Sequence, residues 1–192
     1  MRALSSLLLA LCCALAAATA GAAEHSLDAV LAQLALRQHG HVEFIEQHFL
    51  SMLDRPTESS GEMRYDAPDR LEKRTLAPRQ ETLLLAGGRL TIDKGKTHRV
   101  VDLHAYPQVQ PYIESIRATL AGDRAGLEKL FTLEFTGDLS RWTLTLLPKD
   151  PKARRTVSQV RIDGAKDQLS KVEIRQPDGD RSVLTLRPSP AP

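Results

Sequence analysis

The chain has 192 residues, with 26 Lys and Arg against 24 Asp and Glu and a formal net charge of +2. So even a balance does not mark a nucleic-acid binder. Aromatic residues are only 4% of the chain, too few for a ladder that stacks sugars or bases, and the lone Trp142 is expected in the core.

The first segment, "MRALSSLLLALCCALAAATAGAAEH", has basic Arg2, an apolar run from Leu7 to Ala18 and then small residues. This predicts a secretory signal over residues 1–23, cut between about Ala20 and Ala23, with the mature chain starting between Gly21 and Glu24. The apolar run is short of the ~20 residues that span a bilayer. Lipoprotein-type processing at Cys12 or Cys13 would need a small preceding residue, but Leu11 and Cys12 stand there. Both cysteines therefore leave with the signal, and with them any disulfide, thiolate chemistry or Cys-type zinc site. The rest is read as one domain over residues 24–187, roughly 170 residues held by a hydrophobic core, followed by a Pro-rich tail over 188–192.

"SLDAVLAQLALRQHG" reads as an amphipathic helix capped by Ser26, with Leu27, Val30, Leu31 and Leu34 at helical spacing and Gly40 ending it. "HVEFIEQHFLSMLD" fits a buried strand, with a continued helix as the alternative, and "RPTESSG" reads as a loop. From Gly61 the signals are β. "ETLLLA-GG-RLTID" is a hairpin on a two-glycine turn, and "THRVVDLHA" reads as a further strand. "YPQVQPYIESIRATLAGDRAGLEKLF" is a helical interlude carrying Val109, Ile113, Ile116 and Leu120, then Leu127 and Leu130, broken at Gly122 and Gly126. Strands return with Phe131, Leu133 and Phe135 in phase, then Trp142, Leu144 and Leu146. Val160 with Ile162, Val172 with Ile174, and Leu184 with Leu186 complete the series, and the tail "RPSPAP" should not extend it.

Nearly every strand alternates apolar and polar. The pattern describes a mainly β (α+β) chain: a single large antiparallel sheet of about ten strands, curled, whose one apolar face must be covered. The N-terminal helix and the central helical insert would cover its concave face without filling it. Between Arg64 and Arg99 stand Arg70, Lys73, Arg74, Arg79, Arg89, Lys94 and Lys96. This local excess suits an acidic partner or a lipid headgroup; a solvated sheet face is the plainer account.

The best catalytic candidate is His98, Asp102 and His104, which alternate onto one face if the strand is unbroken. A hydrolase or metal site there is the third-ranked function, since no nucleophile motif accompanies it. His39, His41 and His48 match no zinc spacing. No metal and no cofactor is expected.

The stretch around Gly61 resembles the LolA/LolB superfamily of lipoprotein carriers. That family has a "G-x-L-x-x-x-R-P-x-x-F-x-W" segment, a second proline ten residues after the first, and a glycine hairpin turn. Here Gly61 leads to Ala67-Pro68, Pro78 follows, Leu83 to Leu85 run into Gly87, and "HVEFIEQHF" is similar to the family's first strand. Two positions depart: Ala67 replaces the arginine that latches the lid, and Lys73 replaces the tryptophan. The resemblance implies a divergent LolA-like relative, monomeric and not an enzyme, its curled sheet forming an unclosed barrel of about 10–11 strands. It would be a periplasmic carrier shielding the acyl chains of a lipid or lipoprotein on the way to the outer membrane. An inner-membrane exporter and an outer-membrane acceptor would be its partners. The alternative is a non-enzymatic envelope lipid or lipoprotein sensor, or an accessory subunit of a lipid-export system. The implied cavity residues are Leu83, Leu85, Leu133, Phe135, Trp142, Leu144, Leu146, Val160, Ile162, Val172 and Ile174, with Leu31, Leu34, Ile113 and Ile116 on the lid.

Overall fold

The computed structural model describes residues 26–105 and 110–189. The expected signal segment and its cleavage site, Val109, and the last three residues of the tail lie outside the described residues.

Helix α1 (residues 26–35) leads into β1 (His39–Phe49), β2 (Thr57–Asp66), β3 (Arg70–Ala77), β4 (Glu81–Ala86), β5 (Arg89–Lys94) and β6 (Thr97–Asp102). Helices α2 (Gln110–Leu120) and α3 (Arg124–Leu130) follow. The chain then forms β7 (Phe131–Asp138), β8 (Arg141–Pro148), β9 (Gln159–Ala165), β10 (Gln168–Arg175) and β11 (Arg181–Pro188). All eleven strands make one antiparallel sheet in the order β6-β5-β4-β3-β2-β1-β11-β10-β9-β8-β7. It is the expected unclosed barrel: β1 and β11 meet in the middle, and β6 and β7 remain as its two edges. Strand neighbours are sequence neighbours except at the β1–β11 seam, most joined by short turns, with longer links over residues 50–56 and 149–158. The expected glycine hairpin joins β4 to β5, with Gly87 and Gly88 at φ +56 and +72, where other residues would be strained.

The β7–β11 half of the sheet and α1 form a packed core. Leu27, Val30, Leu31 and Leu34 are all buried and cluster with Trp142, Leu144, Leu146, Val160, Ile162 and Val172. At roughly 1.5–3 kcal/mol per fully buried aliphatic side chain, these four helix contacts offset part of the entropy lost in ordering the helix. Trp142 lies over Gly164, where an added Cβ would meet its ring at 2.2 Å. Its Nε1–H donates to the Lys166 carbonyl at 3.1 Å. The end of α2 approaches α1 closely, since an added Cβ on Gly122 would meet the Leu31 carbonyl at 2.4 Å.

Four local expectations need correction. Gly40 lies inside β1 opposite Tyr65, because α1 has already stopped at residue 35. "RPTESSG" is mostly strand: Thr57 to Ser60 pair with His48 to Ile45, so the backbone ladder with β1 overrides their polar composition. Gly126 does not break the helical insert; it sits in the first turn of α3 and donates its N–H to the capping Asp123 carboxylate. Arg187 and Pro188 extend β11 opposite Glu43 and Val42, since a proline at a strand's last position gives up only its own donor.

Candidate functional site

On the other half of the sheet the concave face is built by the two-residue strand period. Lys73 on β3 lies opposite Met63 on β2 and Leu83 on β4, and Leu83 lies opposite Ile92 on β5. The next row carries Tyr65, Leu71, Leu85 and Leu90. Directly opposed residues share a face, so these rows line the inside. Helix α2 lays Ile113 and Ile116 over them but does not fill the space. A cavity of about 190 Å³ remains beneath α2 among Met63, Leu71, Leu83, Leu85 and Leu90, with Lys73 at one end. A second cavity of about 90 Å³ shares Met63, Leu71 and Ile116 with it and continues past Tyr65 to Val172, Leu184 and Leu186. Arg37 and Asp167 stand at its mouth, joined at 2.8 Å. The hydrogen bond from Arg37 holds the Asp167 carboxyl below its usual range.

The sequence-predicted residues divide by half. Leu83, Leu85, Ile113 and Ile116 line the larger cavity, and Val172 lines the smaller. Trp142, Leu144, Leu146, Val160 and Ile162 are at most 1% exposed in the packed core with Leu31 and Leu34, and Ile174 packs against that core. Leu133 and Phe135 lie on β7 in a separate shallow cleft beside α3. The proposed row of His98, Asp102 and His104 does not form. Strand β6 ends at Asp102, and His104 belongs to the 3-10 turn Leu103–Ala105, its side chain outside the described residues. His98 pairs with Asp93 on the exposed face. Among the described residues no group of three or more His, Cys, Asp or Glu is placed to hold a metal ion.

The inside of the barrel also contains an ion pair that no strand period announces. Glu46 is in phase with Val42 and Phe44 on β1, so its carboxylate points inward. It binds the Lys73 ammonium and accepts from the Ser182 hydroxyl at 3.0 Å. His48 lies 3.4 Å away. Lys73 reaches across the sheet over the Phe44 ring, 4.9 Å from its centroid. The β2 residue opposite Phe44 is Gly61. Burial alone would raise the Glu46 carboxyl, but the hydrogen bond from His48 and the charge and hydrogen bond of Lys73 outweigh it and hold it down to about 2. One signal for this pair was available: Lys73 occupies the position of the tryptophan in the segment that begins at Gly61, in phase with Leu71. Two further features of that segment are present, Pro68 and Pro78, each after a cis peptide bond.

The profile of a family described as "Outer membrane lipoprotein carrier protein LolA-like" matches residues 17–188. No curated protein matches the chain. Among solved structures, the chain is similar to a LolA superfamily protein from Nitrosomonas europaea at 13% identity and a TM-score of 0.43, over 88% of this chain and 94% of that one. It is similar to a domain assigned to outer membrane lipoprotein sorting from Vibrio parahaemolyticus at 10% identity and a TM-score of 0.45, again over 88% and 94%. A chain of the MucA/MucB complex of Pseudomonas aeruginosa matches at 16% identity and a TM-score of 0.45, over 86% of this chain. The match spans only 58% of that chain's length.

Proposed function

The chain belongs to the LolA-like family of outer membrane lipoprotein carrier proteins, and from that premise we propose that it is itself a periplasmic carrier. It shields the acyl chains of a lipid or lipoprotein beneath α2 during transfer toward the outer membrane. One observation carries the reading: the β2–β5 part of the sheet is lined by leucine and methionine, with isoleucines of α2 above, around unfilled space.

The physics of such a carrier is simple. Each methylene taken out of water is worth about 0.8 kcal/mol, so a sixteen-carbon chain held in the aqueous compartment costs on the order of 12 kcal/mol. An apolar surface that receives the chain removes that cost with no bond made or broken, so no side chain has to act as acid, base or nucleophile. The cavities of about 190 and 90 Å³ are each smaller than the ~300–1,000 Å³ typical of ligand sites. Loading therefore displaces α2. That displacement subtracts from the affinity and lets cargo be handed on. Ile113 and Ile116 are the cover, and Leu83, Leu85 and Val172 belong to the receiving surface. The predicted signal over residues 1–23 delivers the chain to the periplasm, with an inner-membrane donor and an outer-membrane acceptor on either side.

Native mass spectrometry of the mature protein purified from a bacterial periplasm tests the reading. Co-purified lipid or acylated peptide is the expected result. A protein that stays empty when offered acyl chains, yet holds a stable protein partner, would point to the sensor or accessory role instead.

A further inference from the structure

Beyond the larger cavity, toward the β6 edge, the concave face has a cationic rim. Met63, Lys73, Leu83, Ile92 and Arg99 oppose one another in turn across β2 to β6. Lys73 and Arg99 therefore share the concave face with the leucines of the cavity. One step further along the strands, toward the β3–β4 and β5–β6 turns, Glu81 opposes Thr75 and Lys94 opposes Thr97. Lys94 approaches Glu81 at 3.7 Å, as Lys73 is bound by Glu46. Arg99 is exposed and has no acidic partner among the described residues. Arg79 and Lys96, in the adjoining turns, are exposed as well. The rim thus carries an excess of positive charge on the concave face, with Ile92 between Arg99 and Leu83 of the cavity.

A guanidinium offers a planar fork of donors matched to carboxylate and phosphate oxygens, whereas ammonium groups already held by carboxylates supply mainly field. The surface is amphiphilic across the strands: greasy under α2, cationic toward the β6 edge. We infer that this rim is the headgroup site for an amphiphile bearing one acidic group, a carboxylate or phosphate monoester, whose alkyl chain lies in the cavity beneath α2. Arg99 is its principal ligand, with Lys94 on the neighbouring strand beside it. The inference rests on the carrier reading, because without a chain in the cavity there is nothing to place a headgroup on the rim.

Titration of the delipidated mature protein with hexadecanoate, hexadecyl phosphate and 1-hexadecanol, each displacing a fluorescent apolar dye, tests it. The two acids are expected to bind about tenfold more tightly than the alcohol, an advantage that added salt reduces. In R99E/K94E that advantage disappears while the alcohol binds as before. Because both residues are exposed, the variant should fold; R99A, which deletes charge without reversing it, gives a smaller loss in the same direction and covers the case where it does not. Inorganic phosphate alone should not displace hexadecyl phosphate, and effective displacement would mark a free-anion site and overturn the proposal. Equal binding of acids and alcohol overturns it too and leaves the carrier reading standing. Failure of all three to bind overturns both.

Discussion

The two halves of the sheet use the same alternation of apolar and polar residues to opposite ends. In the β7–β11 half, α1 lies against the concave face and Trp142, Leu144, Leu146, Val160 and Ile162 are at most 1% exposed. In the β2–β6 half, α2 stands over Leu83, Leu85 and Leu90 with space between. Apolar surface that is packed contributes stability, and apolar surface held open is available for something else. Here one sheet does both, so the packed half can hold the barrel's shape while the cover over the other half moves.

The largest expected effect lies in the packed half. Trp142→Ala removes a ring seated on Gly164 and bonded to the Lys166 carbonyl, and the expected loss is about 3–5 kcal/mol of stability by urea unfolding. A loss under about 1 kcal/mol would mean that the halves are not packed so differently.

Next comes Glu46. Its carboxyl sits at about 2 in the fold against an ordinary 4.5, so its contribution is present above the ordinary value and disappears as pH falls through the folded one. That shift corresponds to roughly 3 kcal/mol, lost between about pH 5 and about pH 2. Glu46→Gln should flatten this acid limb and lower stability at neutral pH, since it leaves the Lys73 ammonium without its counter-charge. Unfolding curves at several pH values compare the two proteins. An unchanged acid limb would show that the pair does not brace the inside of the barrel.

The smallest stability effect, and the sharpest contrast, comes from filling the open space. Ile116→Trp adds bulk facing the cavity and should change stability by no more than about 1 kcal/mol, while native mass spectrometry should find less lipid retained. The same enlargement at Ile162, which is fully buried, should prevent folding. If both substitutions are tolerated equally, the distinction between the halves fails.

Which strand faces are apolar was legible in the sequence, because the two-residue period places Leu83 with Leu85 and Trp142 with Leu144 without ambiguity. The unclosed barrel followed from the family resemblance carried by Gly61, Pro68, Pro78 and Gly87. What alternation cannot reveal is whether a helix fills the face it covers. Trp142 and Leu83 have the same local pattern, and their different fates depend on α1 and α2 arriving from elsewhere in the chain. Polar strand residues such as Thr57 to Ser60 were hidden for a related reason: the ladder that holds them is made by backbone groups common to every residue. The Glu46–Lys73 pair joins strands separated by all of β2, and only the departure from the tryptophan at Lys73 hinted at it.

The two edges of the sheet, β6 and β7, are consecutive in the chain, joined through α2 and α3. The cover is therefore also a tether. A lid hinged at one end could swing away and leave the barrel's width unchanged, but a segment anchored to both edges has no free end. In the carrier proposed above, cargo that lifts α2 would therefore act on the one segment that joins the sheet's two edges.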